Sequence, residues 1–414
     1  MGITATLNRL RDVLGINEHF ARERKIPLFE LVVSLVTSFS VCNKTKAIAD
    51  IRRNFIKHTG KNISASSFWD RLASDKLAPF LEKAVYKLIF QLQQQALSKL
   101  LAVGDFKEIF IYDASPIRLP RALSARFPGN RKNHSPACLK LSALYQLSAR
   151  SVKWMELAAQ KIHDSKVLPE LDQLKGSLFL FDLGYFSHDF LYRLNAANIW
   201  FICRLKGNSI PTVSKTIAGV AKSNVGLPLN QVKKLKGAIV EMWVSLNRGA
   251  KGDYEVRLIG FRFPETDEYR WYVTNLPPSA LLAKWVYPLY RLRWQIELFF
   301  KSIKSTLHAD QVTSANANIA LAIVYASILA SLIASYLIIA KAAIAAEIEL
   351  RSITAQRLMK VFALITDDLA RCLIREGVTN ISLLRKMEPL FESLVCPNRK
   401  RRPTSWESVA TSVC

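Results

Sequence analysis

Apolar positions in this chain recur first with a helical period, then with an extended one, then helically again. Up to about residue 100, the runs Leu28–Cys42, Ala47–His58 and Lys76–Leu100 space apolar residues three and four apart, which predicts amphipathic helices joined by short polar connectors. Ser64, Ser66 or Ser67 can cap the helix that carries Phe68, Trp69, Arg71 and Leu72. Short helices with polar, basic turns suit either a helix-turn-helix DNA reader, with Ser66 and Arg71 as contact residues, or a plain helical bundle.

At residue 108 the period becomes extended. EIFIYDAS is a short β-branched and aromatic run ending in Asp113, and the following SPIRLP breaks regular structure. Residues 121–136 form a basic loop suited either to nucleic acid or to solvent. Two strands, Cys138–Ser148 and Val152–Ala159, then suggest an antiparallel meander, followed by a helix capped around Asp164 or Ser165 and running through Leu174. SLFLFDLGYFS repeats the earlier design: an apolar strand ends in Asp182, and Gly184 permits a sharp exit into a helix near Ser187. Trp200–Gly207 supplies a further buried strand. Each aspartate alone could simply open a turn; two of them on one sheet place carboxylates on a common edge.

Residues 208–275 change rhythm again. Alternating runs at Ala238–Leu246 and Tyr254–Phe263, closing on RWYVTNLPP, predict a small antiparallel insert made basic by Lys233, Lys234, Lys236, Arg248, Lys251, Arg257 and Arg262.

Beyond the insert, Tyr290–Lys304 reads YRLRWQIELFFKSIK. Wound as a continuous helix at about 100° per residue, it puts Tyr290, Arg293, Glu297 and Lys304 within roughly 60° of one another, opposite the apolar Leu289, Leu292, Ile296, Phe299, Phe300 and Ile303. One carboxylate flanked by a phenol and the cations Arg293, Lys301 and Lys304 suits a metal and a polyanion; the plain alternative is an i,i+4 salt bridge with solvated lysines. Ile319–Ala340 runs uncharged for long enough to span a bilayer. Its small residues at four-residue spacing also suit close packing inside protein, and the expectation is a core helix with no membrane. Residues 349–395 read as helical, and the tail begins with the basic NRKRRP.

Charge changes the picture most. The 414 residues carry 58 Lys and Arg against 33 Asp and Glu, a net charge of +25, with the basic residues spread over the whole length. That excess implies a polyanionic partner, nucleic acid or an acidic membrane. Half the residues are hydrophobic, which excludes global disorder. Six cysteines without a CxxC pair, and with no histidine at ligand spacing, argue against zinc and a disulfide framework and for a reducing compartment. No charged-then-apolar signal sequence opens the chain.

Strand with Asp113, two strands, helix, strand with Asp182, helix, strand, and a later helix with Glu297 is the element order of a ribonuclease-H-like fold. The expected class is therefore α/β, with a ribonuclease-H-like catalytic core and a β-rich insertion. Its divisions would be a helical N-terminal DNA-binding region (1–100), the core in two parts (101–207 and 276–345), the insertion (208–275) and a helical C-terminal region with a basic tail (346–414). Hard carboxylate oxygens suit Mg²⁺ or Mn²⁺.

Tyr290, Arg293, Glu297 and Lys304 at this spacing also resemble the YREK signature of the IS4 family of bacterial insertion-sequence transposases, the group that includes the Tn5 transposase. Asp113 in IYDAS and Asp182 in DLGYF are similar to that family's two aspartates, and the likeness covers roughly residues 60–345. The resemblance implies a DDE transposase. Asp113, Asp182 and Glu297 would be catalytic and hold two metal ions, while Tyr290, Arg293, Lys301 and Lys304 would grip DNA. Cleavage would proceed through hairpins, with strand transfer into target DNA, by a homodimer bound to terminal inverted repeats in the bacterial cytoplasm, at the nucleoid. Trp271, on the insert's return strand, would be the residue that stacks a flipped base. The same sequence is compatible with a catalytically silent or co-opted DNA-binding protein.

Overall fold

The computed structural model describes residues 3–19, 25–38, 48–94, 106–131, 135–149, 151–162, 170–263, 265–306, 312–345 and 355–375. The expected helix start at Asp164 or Ser165, the basic NRKRRP tail and Cys42, Cys396 and Cys414 lie outside them.

Five helices come first: α1 (Ile3–Val13), α2 (Leu28–Ser38), α3 (Ile48–Thr59), α4 (Ala65–Leu72) and α5 (Leu77–Gln94). Of the three candidate serines, Ser64 is the N-cap of α4, its hydroxyl accepting from the Ser67 amide. Phe68 and Leu72 form the buried side of α4; Ser66 and Trp69 are exposed.

The sheet is built outward from β1 (Ile109–Leu119). On one side it pairs antiparallel with β3 (Ser135–Gln146), which itself pairs with β2 (Pro128–Arg131) and β4 (Ser151–Ala159). On the other side β5 (Leu178–Phe181) runs parallel to β1, and β6 (Trp200–Arg204) parallel to β5, with α6 (His188–Ala196) as their crossover. The order β4-β3-β1-β5-β6, with β3 the antiparallel member between β4 and β1, is the ribonuclease-H-like arrangement.

Four details differ from expectation. SPIRLP does not break the first strand: β1 runs through it to Leu119, still paired with β3, so Asp113 stands within the strand and not at its end. The basic loop contains a strand, β2, where Gly129 lets the chain approach so closely that a Cβ would lie 2.0 Å from the Ser135 carbonyl oxygen. Among the described residues between β4 and β5 there is a short 3₁₀ turn, Leu171–Leu174, rather than a full helix. Ahead of the runs singled out in the insert lies a further strand, β7 (Thr212–Ala218), followed by β8 (Ile239–Asn247), β9 (Asp253–Phe263) and β10 (Glu268–Thr274). Since β10 pairs antiparallel with β6, the insert extends the core sheet to ten strands rather than forming a separate body.

Side chains alternate between the two sheet faces. Ile109, Ile111, Leu178, Leu180 and Ile202 face one core, shared with the helices; Phe110, Tyr112, Phe179, Phe181 and Phe201 face another, closed by Phe190, Leu191 and Leu194 of α6. With both faces covered, β5 reads LFLF without polar alternation.

On the helical face lie α7 (Ala283–Arg291), α8 (Trp294–Lys301), α9 (Ala317–Ala345) and α10 (Ala355–Ile374). α9 is long and apolar enough to cross a membrane, yet 83% of its most apolar stretch is buried inside the protein. Its small residues Ala322, Ala326, Ala330 and Ala334 are all buried, and the Tyr325 hydroxyl donates to Glu82 of α5 at 2.8 Å. Between the insert and α7 sits a fully buried arginine, Arg257. It donates to Glu241 of β8 at 2.7 Å and to the carbonyls of Leu276 and Leu281 at 3.2 and 2.6 Å.

Candidate active site

Strand register brings the two aspartates together. The pairing that sets Ile109 beside Leu178 and Tyr112 beside Phe181 makes Asp113 and Asp182 the next residues on adjacent parallel strands. Neighbouring strands lie about 4.8 Å apart, and both residues alternate onto the helical face. Asp113 is partly buried and accepts the Ala114 amide at 2.8 Å. Burial pushes its carboxyl up to about 6, against the Ala114 bond and Arg293, with Asp182 and Glu297 adding to the rise. Asp182 is more open, its side chain 45% exposed.

The helix expected over Tyr290–Lys304 is interrupted. α7 ends at Arg291 and α8 starts at Trp294, with Leu292 and Arg293 in a turn whose amides bond three residues back, Leu292 to Leu289 and Arg293 to Tyr290. In such a tight turn residues i and i+3 eclipse, so Tyr290 and Arg293 stack on one side; the guanidinium lies 5.8 Å from the Tyr290 ring centre. Tyr290 is buried, its hydroxyl making a long 3.4 Å bond to Asp182, and burial raises its phenol well above the usual range.

Arg293 is the hub. Its guanidinium is 2.5 Å from Glu297, 3.5 Å from Asp113 and 3.9 Å from Asp182, so all three expected catalytic carboxylates surround one side chain that is only 16% exposed. Burial opposes the charge, but Tyr290, Asp182 and Glu297 outweigh it and hold the guanidinium pKa above normal. Among the described residues, no three carboxylate, histidine or cysteine side chains are close enough to hold a metal as they stand. The protein's own cation takes that place. The donors are hard oxygens of the kind that suit a divalent ion, and they already stabilise positive charge at their centre.

Replacing Arg293 with Met keeps the packing on Tyr290 but leaves three carboxylates facing one another. We expect a loss of about 2 kcal/mol at pH 8 in EDTA, discounted from a buried-pair value for partial exposure. A carboxyl whose folded pKa is raised costs stability as pH climbs through that value; Arg293 holds Asp113 down, so without it Asp113 takes its proton above the wild-type value of about 6, and the deficit should shrink as pH falls from 8 towards 6. Urea unfolding at the two pH values measures it; equal deficits would contradict the hub.

The remaining expected residues are dispersed. Lys301 is exposed on α8, and Lys304 is half-buried in a π-type turn, Ser302–Thr306, that follows it. Trp271 lies on the opposite sheet face from Tyr290, against Gly260 and stacked with Tyr269 at 5.8 Å. Ser66 and Arg71 belong to α4, which packs on α3 and α9. Sequence reasoning passed over Lys140, Asn130, Gln160 and Lys161, which line a cleft of about 420 Å³ bordered by Asp113 and Asp182. The available signal was Lys140 itself, a lone charge in the apolar run CLKLSAL.

Residues 104–333 match the family described as Transposase DDE domain. The chain is 25% identical over 288 residues to the transposase of insertion sequence IS1151 from Clostridium perfringens, covering 60% of this chain and 61% of that one. It is 26% identical over 280 residues to the IS231F transposase of Bacillus thuringiensis subsp. israelensis, covering 57% and 58%. The chain thus spans about three fifths of the length of these relatives. Among solved structures it is similar to a piggyBac transposase synaptic complex with hairpin DNA, with a TM-score of 0.45, 10% identity, and 96% and 83% of the two chains covered.

Proposed function

Because this chain belongs to the Transposase DDE domain family, we propose that it binds the ends of a bacterial insertion sequence, cuts the DNA there and joins it to a target. The observation that carries this reading is the convergence of Asp113, Asp182 and Glu297 on one positive centre. Asp113, Asp182 and Glu297 would hold two divalent ions, Mg²⁺ or Mn²⁺, which would supply Lewis-acid stabilisation of the departing phosphodiester oxygen and a more acidic attacking water or 3′-hydroxyl. Arg293 then turns from the carboxylates to a DNA phosphate, and Tyr290 holds Asp182 in place by its hydroxyl. Lys301 and Lys304 take the following phosphates, and Ser66 and Arg71 meet the element end from α4. Trp271 remains the candidate for stacking a flipped base along a hairpin route. The protein works as a homodimer on DNA, in the bacterial cytoplasm and at the nucleoid.

A second reading is a silent DNA-binding copy, favoured by one observation: the guanidinium lodged among the carboxylates. One experiment separates the two. Purified protein is incubated with linear DNA containing its gene and flanks, in Mg²⁺ or in EDTA. Metal-dependent cuts at flanking inverted repeats support the transposase; binding without any cut favours the silent copy. Metal loading should carry the imprint of Asp113. Mn²⁺ affinity is expected to rise about tenfold per pH unit up to about pH 6 and then level off, because one proton leaves as the ion enters. Electron paramagnetic resonance of free Mn²⁺ follows this, and a flat profile would remove Asp113 from the ligand set.

A further inference from the structure

The cleft beside the aspartates lies on the sheet face opposite α8. Even-numbered residues of β1 face the second core, and so does Lys140 of β3, which sits opposite Pro116 in the β1–β3 register. Lys140 is 6% exposed, and its ammonium donates to the Ile162 carbonyl just past β4. The rim is held in shape by two bonds between β2 and the end of β4: the Asn130 amide donates to the Gln160 side-chain oxygen at 3.2 Å, and the Lys161 amide to the Pro128 carbonyl at 3.2 Å. The first of these leaves the Gln160 amide nitrogen to donate elsewhere. Gly129 permits the close approach that brings Asn130 to the rim. The cleft therefore combines two ammonium groups and two carboxamides, with Asp113 and Asp182 on its border.

Across the sheet edge, on the other face, stand Arg293 and Glu297. A strand whose reacting phosphate sits at Asp113 and Asp182 has to continue over that edge, and the volume of about 420 Å³ suits one nucleotide. We propose that the cleft holds the nucleotide adjoining the bond that is cut, with Lys140 and Lys161 on its phosphates and Asn130 and Gln160 reaching its base or sugar. This rests on the transposase reading and assigns four residues to the single strand at the reacting centre. Backbone contacts of this kind position the strand, and the amides add hydrogen bonds without demanding one base.

The test uses a duplex with a short single-stranded 3′ overhang of thymidines carrying 5-iodouracil, bound in EDTA so that no cutting is needed. Irradiation should cross-link the overhang to peptides containing residues 128–131 and 159–162. Each lost lysine contact to single-stranded phosphate should lower the slope of log affinity against log salt by about 0.7. Lys161→Ala, on an exposed residue, isolates that effect without threatening the fold; Lys140→Met should add a second step, and Lys140→Arg should restore it. Circular dichroism establishes that each variant is folded. Cross-links confined to other peptides, or a folded Lys161→Ala protein with an unchanged slope, would overturn the assignment. Wild-type protein that cross-links here yet never cuts its flanking DNA in Mg²⁺ would support the cleft as a strand site and sink the transposase activity.

Discussion

Asp182→Asn and Glu297→Gln proteins are expected to bind DNA at least as well as the wild type and to lose metal-dependent cleavage by roughly a thousandfold or more. Each change removes a negative oxygen from the centre that would hold the ions, so the loss should match about 4 kcal/mol of transition-state stabilisation. DNA binding should survive because the removed charges repel phosphate, and because +25 net charge is untouched in its basic part. The two substitutions should also differ when the metal is absent. Glu297 is 2.5 Å from Arg293, whereas Asp182 stands 3.9 Å away. Glu297→Gln should therefore loosen the guanidinium more than Asp182→Asn does. Burst cleavage assays in Mg²⁺, with filter binding in EDTA, give both quantities. A variant cutting at the wild-type rate would refute the assignment of that carboxylate.

Arg257→Met should cost about 3–5 kcal/mol of stability, the largest effect expected outside the site. Removing one member of a buried ion pair leaves the other uncompensated, and here Glu241 and the Leu276 and Leu281 carbonyls would all lose a donor. The damage should propagate, because those carbonyls belong to the segment that leads into α7 and so sets where Tyr290 and Arg293 stand. The double change Arg257→Met with Glu241→Leu should recover much of the loss, since apolar replacement of a whole buried pair is often near neutral. Denaturant unfolding of both proteins checks this. A single Arg257→Met protein within 1 kcal/mol of the wild type would mean the pair is not what locks the insert to the helices.

Both carboxylate-bearing strands were legible because their chemistry is local. β5, covered on both faces, is apolar throughout, so the aspartate that follows it stands out at 182; Asp113 stands out as the first charge after the apolar IFIY, although its strand continues past it to Leu119. Glu297 was legible from spacing, yet the helix carrying it was drawn too long. Nothing in YRLRW distinguishes a helix from a tight turn, and the i to i+3 bonds at Leu292 and Arg293 depend on packing against Tyr272 and the aspartates. The hub position of Arg293 is therefore a tertiary fact. β7 escaped notice because most of TVSKTIA is exposed at the sheet's edge, with Val213 its buried residue. β2 escaped because Pro-Gly-Asn-Arg is turn composition, and only the nearness of Ser135 makes it a strand.

Sheet order also sets a schedule. β1 cannot be completed until β5 has joined it, and β10, much further along the chain, is what closes β6. α5 in turn finds its cover on α9, made still later. Such long-range closures fold slowly, since the chain entropy of each loop is lost before the contacts reward it. A chain still emerging from the ribosome would present basic surface and two aspartates but no Glu297 wall. The capacity to hold the reacting centre together would arrive only after Glu297 is made, well after both aspartates.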